Sequence, residues 1–272
     1  MRGTEESMNV MLVSIAALGC YLLGGLGQGI RIKGGTISRR NVLGITALGA
    51  IFQAAALWLI IYRLEGINLG VFTIASLTTL MVTLVVLLAS IKHASEGLLV
   101  LILPITMLSV LTAWLFPFNH IFLQPPSSMV VHVLISVMAY GVLMAAVFQS
   151  FLLFYQEHQL RRHSQKRLLK ALPPLQTMEC LMFDFLMIGF LLLTLSLLSG
   201  FFYLDNMFAQ RLIHKTVLSI IAWCMFGVLL LGRRAYGWRG IVAMRWMIAG
   251  FLLLILSYFG WRLIVDLLLS KY

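Results

Sequence analysis

Apolar residues in this chain come in long runs of about twenty, separated by short polar breaks, with no stretch alternating residue by residue as a β-strand would. Eight such runs can be drawn, at roughly 8–30, 41–62, 70–91, 97–116, 129–154, 183–204, 213–232 and 243–266. Each is near 30 Å as a helix, the thickness of a bilayer's hydrocarbon core. Backbone amides facing lipid must be satisfied within their own segment, so runs with few interior prolines are predicted to be helices and not barrel strands. The expected fold class is all-α: an integral membrane bundle of about eight transmembrane helices forming a single polytopic domain, 1–272.

Composition agrees. Only 11% of residues are charged and 61% are hydrophobic, with a mean hydropathy of +0.99, too few polar groups to cover a water-soluble globule. The opening MRGTEES has no basic n-region, and no small-residue cleavage site closes the first run, which therefore reads as a retained helix and not a signal peptide.

Charge sets the expected orientation. Of the 20 Lys and Arg, 14 fall after the first, third, fifth and seventh runs: Arg31, Lys33, Arg39, Arg40, Lys92, Arg161, Arg162, Lys166, Arg167, Lys170, Arg233, Arg234, Arg239 and Arg245. The positive-inside rule then puts both termini outside, which in a bacterial inner membrane is the periplasm. The net charge of +11 is spread over four cytoplasmic loops, so its partner is anionic lipid and not nucleic acid.

One loop is long, YQEHQLRRHSQKRLLKALPPLQTMEC at 155–180; its first half is basic and helix-prone, and Pro173–Pro174 is expected to stop that helix. His158 and His163 read as solvated loop residues. The glycines of GGLGQG at 24–29 lack the spacing of a nucleotide-binding loop and read as a close helix contact. Cys20, Cys180 and Cys224 form no CxxC and are expected to be buried structural thiols.

Span interiors carry almost no charge, which removes the usual hardware of an ion-coupled carrier and makes a permease the weakest reading. Nor is there a carboxylate pair or a Ser/His/Asp set, so no catalytic constellation is visible. Histidine is what remains. His132 opens the fifth span and His214 the seventh, both at the outer boundary, with His120 in the loop before. Two imidazoles on opposite faces of a haem would give a six-coordinate iron; alternatively each merely caps a helix. Trp58, Tyr62, Trp114, Phe116, Phe118, Phe122, Phe201, Phe202 and Tyr203 lie near that depth and could wall a porphyrin or form the ordinary interfacial belt.

Three tracts, HVLISVMAYGVLMAAVFQSFLL from His132, IGFLLLTLSLLSGFFY from Ile188 and HKTVLSIIAWCMFGVLLLGRRAYGWRG from His214, resemble the CcsA/CcmC-type cytochrome c assembly family. Length and the eight-span layout are similar to its short YpjD/HemX-like branch. The resemblance implies an inner-membrane protein that binds or moves haem. It makes His132, followed by Ser136 and Tyr140, an axial ligand at the periplasmic face, and places His214 where the tryptophan-rich haem tract of longer members ends. Here FFYLDNMFAQRLIH holds no tryptophan, and the eighth span holds no histidine. Either His132 and His214 act as a pair, or the chain is a non-catalytic accessory for a transporter or biogenesis complex that has lost haem, contacting another membrane protein through 155–172.

Overall fold

The computed structural model describes the backbone at 2–63, 66–116, 121–122, 126–162, 172–203 and 210–260; side chains at 2–7, 63, 121–122, 202–203, 210–215 and 259–260 are outside the description. The eight apolar runs form eight long helices: α1 (Arg2–Ile32), α2 (Arg39–Ile61), α3 (Val71–Lys92), α4 (Leu99–Leu115), α5 (Ser127–Arg161), α6 (Leu175–Tyr203), α7 (Gln210–Tyr236) and α8 (Ile241–Ile255), the last continued by a π-helical turn at Leu256–Gly260. All eight are long and apolar enough to cross a membrane, α4 together with the short 3₁₀ turn before it. Their outer faces are themselves apolar, with Ile91 73% and Leu231 68% exposed, as lipid-facing positions are.

Two boundaries differ from expectation. The fifth helix runs on to Arg161, 35 residues or about 50 Å, so its last turns pass beyond the apolar run. The sixth begins at Leu175, immediately after Pro173–Pro174. A proline at a helix entrance sacrifices no hydrogen bond, so here the pair precedes a start. Residues 163–171, the remainder of the segment that Pro173–Pro174 was expected to stop, lie outside the description.

The helices divide into two compact units, 1–125 with 159–174 and 126–158 with 175–272. In the first, α1 to α4 pack through small residues. A Cβ on Gly24 would come within 2.6 Å of the Thr46 hydroxyl, and one on Gly49 within 2.9 Å of the Tyr21 ring, so the glycine-rich tract is a close helix contact as expected. A hydrogen-bond ladder crosses this core. The Tyr21 hydroxyl donates to Gln53 Oε1 at 2.6 Å, Gln53 Nε2 donates to the Ser76 carbonyl at 2.9 Å, and Thr79 Oγ1 lies 2.6 Å from Ser109 Oγ. At one end of the unit the Glu96 carboxylate sits 3.1 Å from Arg39 and 3.6 Å from Arg31. At the other end is a feature the apolar pattern did not announce, a small antiparallel sheet of β1 (Tyr62–Arg63), β2 (Gly66–Asn68) and β3 (Ile121–Phe122). Tyr62 faces Ile67, and Ile67 faces Phe122. Fully buried Asn68 accepts the Gly70 N–H at 3.1 Å, turning the chain into α3.

The second unit holds α5 to α8. Gly189 of α6 lies against Leu143 of α5, where a Cβ would meet the leucine at 2.7 Å, and Gly250 of α8 lies against Phe226 of α7 at 2.8 Å. The GWRG tract makes the turn from α7 to α8. Gly237 takes φ +66° and its N–H bonds the Arg233 carbonyl at 3.1 Å, a left-handed glycine cap, while the Trp238 N–H reaches back to the Gly232 carbonyl at 3.2 Å. The Trp238 ring covers Gly232 and packs 5.6 Å from Trp246.

The cysteine expectation needs correction: Cys180 and Cys224 are exposed and Cys20 is half-buried. In a membrane an outward face meets hydrocarbon, where a small apolar thiol is at home, so burial inside protein was the wrong inference.

A candidate haem-ligand site built on His132

His132 stands on the second turn of α5, at the end away from Arg161, with its side chain half-buried. Its Nδ1 lies 2.9 Å from Ser199 Oγ on α6. One turn along α5, the Ser136 hydroxyl donates to the His132 carbonyl at 2.7 Å and lies 2.7 Å from Ser196 Oγ. Ser199 in turn donates to the Ser196 carbonyl at 2.8 Å. Two antiparallel helices thus set a His-x3-Ser face against a Ser-x2-Ser face, and four polar side chains close on one another in an apolar span.

Tyr140, two turns further along α5, does not join them. Its hydroxyl donates to the Leu254 carbonyl of α8 at 3.1 Å, and its ring lies edge-on to Tyr258, 6.2 Å away. Beside it Ser219 of α7 and Ser257 of the π-turn meet at 2.8 Å. A π-turn shifts the helical hydrogen-bond register, so a carbonyl at its edge can take a side-chain donor.

His214 belongs to α7 by its backbone, but its side chain lies outside the described residues, as does all of His120. The pairing of α6 with α7 fixes the level of position 214. Trp223 Nε1 donates to Thr194 at 2.8 Å and its ring stacks 5.3 Å from Phe190, while Arg233 lies 3.4 Å from Glu179 and over the Phe183 ring. Contacts that descend α6 as they climb α7 put the level of Ser199, and with it His132, near position 218. Position 214 is about one turn further toward the end of the bundle.

The other aromatic candidates fall apart as a group. Trp58 and Tyr62 are 62% and 52% exposed and stack on each other in the first unit, 4.3 Å between centroids, and Phe201 is 66% exposed. That outward aspect is an interfacial belt. Phe118, and the side chains of Phe122, Phe202 and Tyr203, lie outside the description. His158 is exposed on the extension of α5, 6.0 Å from the Phe154 ring, as a solvated histidine should be, and His163 is outside the description.

Ser196 and Ser199 were not singled out by sequence. Their signal was present as two hydroxyls three residues apart in LSLLSG, but many spans carry such pairs, and only the rotation of α6 against α5 gives these two a histidine.

What this donor set fits is narrow. Among the described residues no three His, Cys, Asp or Glu side chains gather, so a bare metal ion would lack ligands there. A haem, the cofactor the resemblance implies, carries its own equatorial nitrogens and asks the protein only for axial ones. One imidazole with its far nitrogen already engaged meets that requirement.

The model of the family described as cytochrome c assembly protein matches residues 41–269. The chain belongs to the cytochrome c assembly family. Among its relatives, the inner membrane protein YpjD of Escherichia coli is 33% identical over 177 residues, 65% of this chain and 67% of that protein, in line with the YpjD-like branch. An uncharacterized 28.8 kDa protein of Azospirillum brasilense, from a nifR3-like 5′ region, is 31% identical over 116 residues, 42% of this chain and 43% of that one. No solved structure matches. With eight spanning helices and an inner-membrane relative, this cytochrome c assembly protein is a multi-pass inner-membrane protein.

Proposed function

We propose that the chain is a haem-handling protein of the cytochrome c assembly type, in which His132, through Nε2, and His214 would together hold the iron at the periplasmic end of the bundle. The observation that carries this reading is the His132–Ser199 contact. A metal-ligating histidine characteristically engages its second nitrogen, which sets the ring's orientation and raises the basicity of the nitrogen left free. The orientation rests on the basic residues: the end of α5 bearing Arg161 and the end of α7 bearing Arg233 and Arg234 are the cytoplasmic ends, where anionic headgroups meet them.

Bound there, haem would supply the iron that the two imidazoles hold. The protein's part is to bind and orient. Ser199 holds the His132 ring. In this reading the chain binds its cargo and passes it on, and no bond-making step is assigned to it.

The test is an absorption spectrum of detergent-purified protein, oxidised and dithionite-reduced, beside His132→Ala and His214→Ala. A Soret band with reduced α and β bands, lost in both variants, is the expected result. Protein that carries no haem and takes up no haemin sinks the reading.

One observation favours a second reading, a membrane accessory that docks another protein: α5 continues as helix beyond its apolar run and exposes Leu160, Arg161 and Arg162. Under that reading, reversing the charges of Arg161, Arg162 and Arg167 releases a co-purifying membrane protein; unaltered association removes this surface from consideration.

A further inference from the structure

The hydrogen bonds around His132 admit one consistent placement of protons. Ser136 has a single hydroxyl hydrogen and donates it to the His132 carbonyl at 2.7 Å. Its 2.7 Å contact with Ser196 is therefore made with the Ser196 hydroxyl as donor. Ser199 spends its hydrogen on the Ser196 carbonyl at 2.8 Å, so toward His132 it offers only a lone pair. The 2.9 Å contact between Ser199 Oγ and His132 Nδ1 must then carry the imidazole's own hydrogen. A neutral imidazole has one N–H and one bare nitrogen. With the hydrogen on Nδ1, the bare nitrogen is Nε2.

We propose that Ser199, held by Ser196 and backed by Ser136, is a positioning residue that locks His132 in the Nδ1–H tautomer and so presents Nε2 as a permanent open ligand. The inference rests on the reading of His132 as an iron ligand for its purpose, though not for its geometry. A free imidazole exchanges its hydrogen between the two nitrogens and turns about its side-chain bonds. Here both freedoms are removed before any ligand arrives.

Ser196 is 5% and Ser199 8% exposed, so water does not compete for the acceptor. The same arrangement shows how the α6 backbone sets the direction. Ser199 alone could rotate its hydrogen onto Nδ1 and select the opposite tautomer; the Ser196 carbonyl one turn away takes that hydrogen out of play. Side-chain bonding to a carbonyl three residues back is a common habit of serine in apolar helices, used here to set a direction.

The experiment is nitrogen-15 NMR of full-length protein labelled at histidine and reconstituted without haem, the His132 signals being assigned by their loss in His132→Gln. In the wild type, Nδ1 should give the protonated, pyrrole-like signal and Nε2 the bare, pyridine-like one. Ser199→Ala should produce a mixture or reversal of the two, and Ser199→Thr, which keeps the hydroxyl, should restore the wild-type pattern. An Nε2–H tautomer in the wild type overturns the proposal, and so does an unchanged pattern in Ser199→Ala.

Haemin titration then separates this inference from the functional reading. Loss of an outer partner of a metal-bound histidine typically weakens binding about 10- to 100-fold, and Ser199→Ala should do so with Ser199→Thr near wild type. Wild-type protein that shows the Nδ1–H tautomer yet binds no haemin would end the haem reading and leave the lock standing.

Discussion

The two units each bury a polar chain in an apolar bundle, and they finish it differently. In the first, Tyr21, Gln53, Ser76, Thr79 and Ser109 link α1, α2, α3 and α4, and the Gln53 amide is used on both sides, its oxygen by Tyr21 and its nitrogen by Ser76. The ladder closes on itself. In the second, Ser136, Ser196 and Ser199 end on an imidazole whose other nitrogen takes no part in those bonds. A closed ladder fixes which helix faces meet, because any other register leaves polar groups stranded in hydrocarbon. An open one fixes a register and also presents a donor atom. The difference is a matter of residue type. Amide and hydroxyl groups can satisfy one another, whereas imidazole engaged through one nitrogen still offers the second, which is a strong metal ligand.

The largest break in this comparison is His132→Ala, which removes the donor atom and leaves the first unit untouched. All haem absorbance should vanish while far-ultraviolet circular dichroism and the detergent gel-filtration profile stay as in the wild type. Retention of a full Soret band would show that iron is held elsewhere. Next comes Gly189→Val, aimed at the seam between α5 and α6, where even a Cβ would come 2.7 Å from Leu143. Overpacking of this kind costs about 1–3 kcal/mol. It should lower the thermal midpoint and, by shifting Ser199 away from His132, weaken haemin uptake as well; a loss of stability with unaltered uptake would uncouple the seam from the site.

Gln53→Ala is the mirror experiment on the closed ladder. It strands the Tyr21 hydroxyl and should cost roughly 2 kcal/mol, the usual penalty for an orphaned buried polar group. That loss should be read as a lower thermal midpoint with the haem spectrum unchanged, and a spectral change would contradict the division of labour between the two units. The smallest effect belongs to Tyr140→Phe. It removes one bond to the Leu254 carbonyl, worth about 1 kcal/mol, from a residue turned toward α8 and not toward His132. A small drop in thermal midpoint with unaltered haemin affinity is expected; a loss of affinity comparable to that in Ser199→Ala would make Tyr140 part of the site.

Some of this was legible in advance and some was not, for reasons visible at particular residues. His132 could be singled out because an ionisable side chain at the entrance of an apolar run is conspicuous in any sequence. Ser199 could not, since nothing in LSLLSG distinguishes a serine that serves a histidine from one that bonds its own helix; it does both. The GWRG tract could be quoted as a signature but not explained. Its reason is a left-handed glycine cap in which Gly237 takes a positive φ and Trp238 folds back over Gly232. The small sheet was invisible for a simpler cause: strands of two and three residues are shorter than any periodicity that could announce them.

By itself, the sequence determined the eight helices, among the described residues, that are long and apolar enough to cross a membrane, because span length and backbone satisfaction are properties of each segment alone. It also pointed to histidine as the side chain whose surroundings mattered most to find. Tertiary structure decided which hydroxyl meets which imidazole nitrogen. That outcome depends on the rotation and register of α5 against α6, set jointly by Gly189 on one helix and Leu143 on the other, and no single segment contains it.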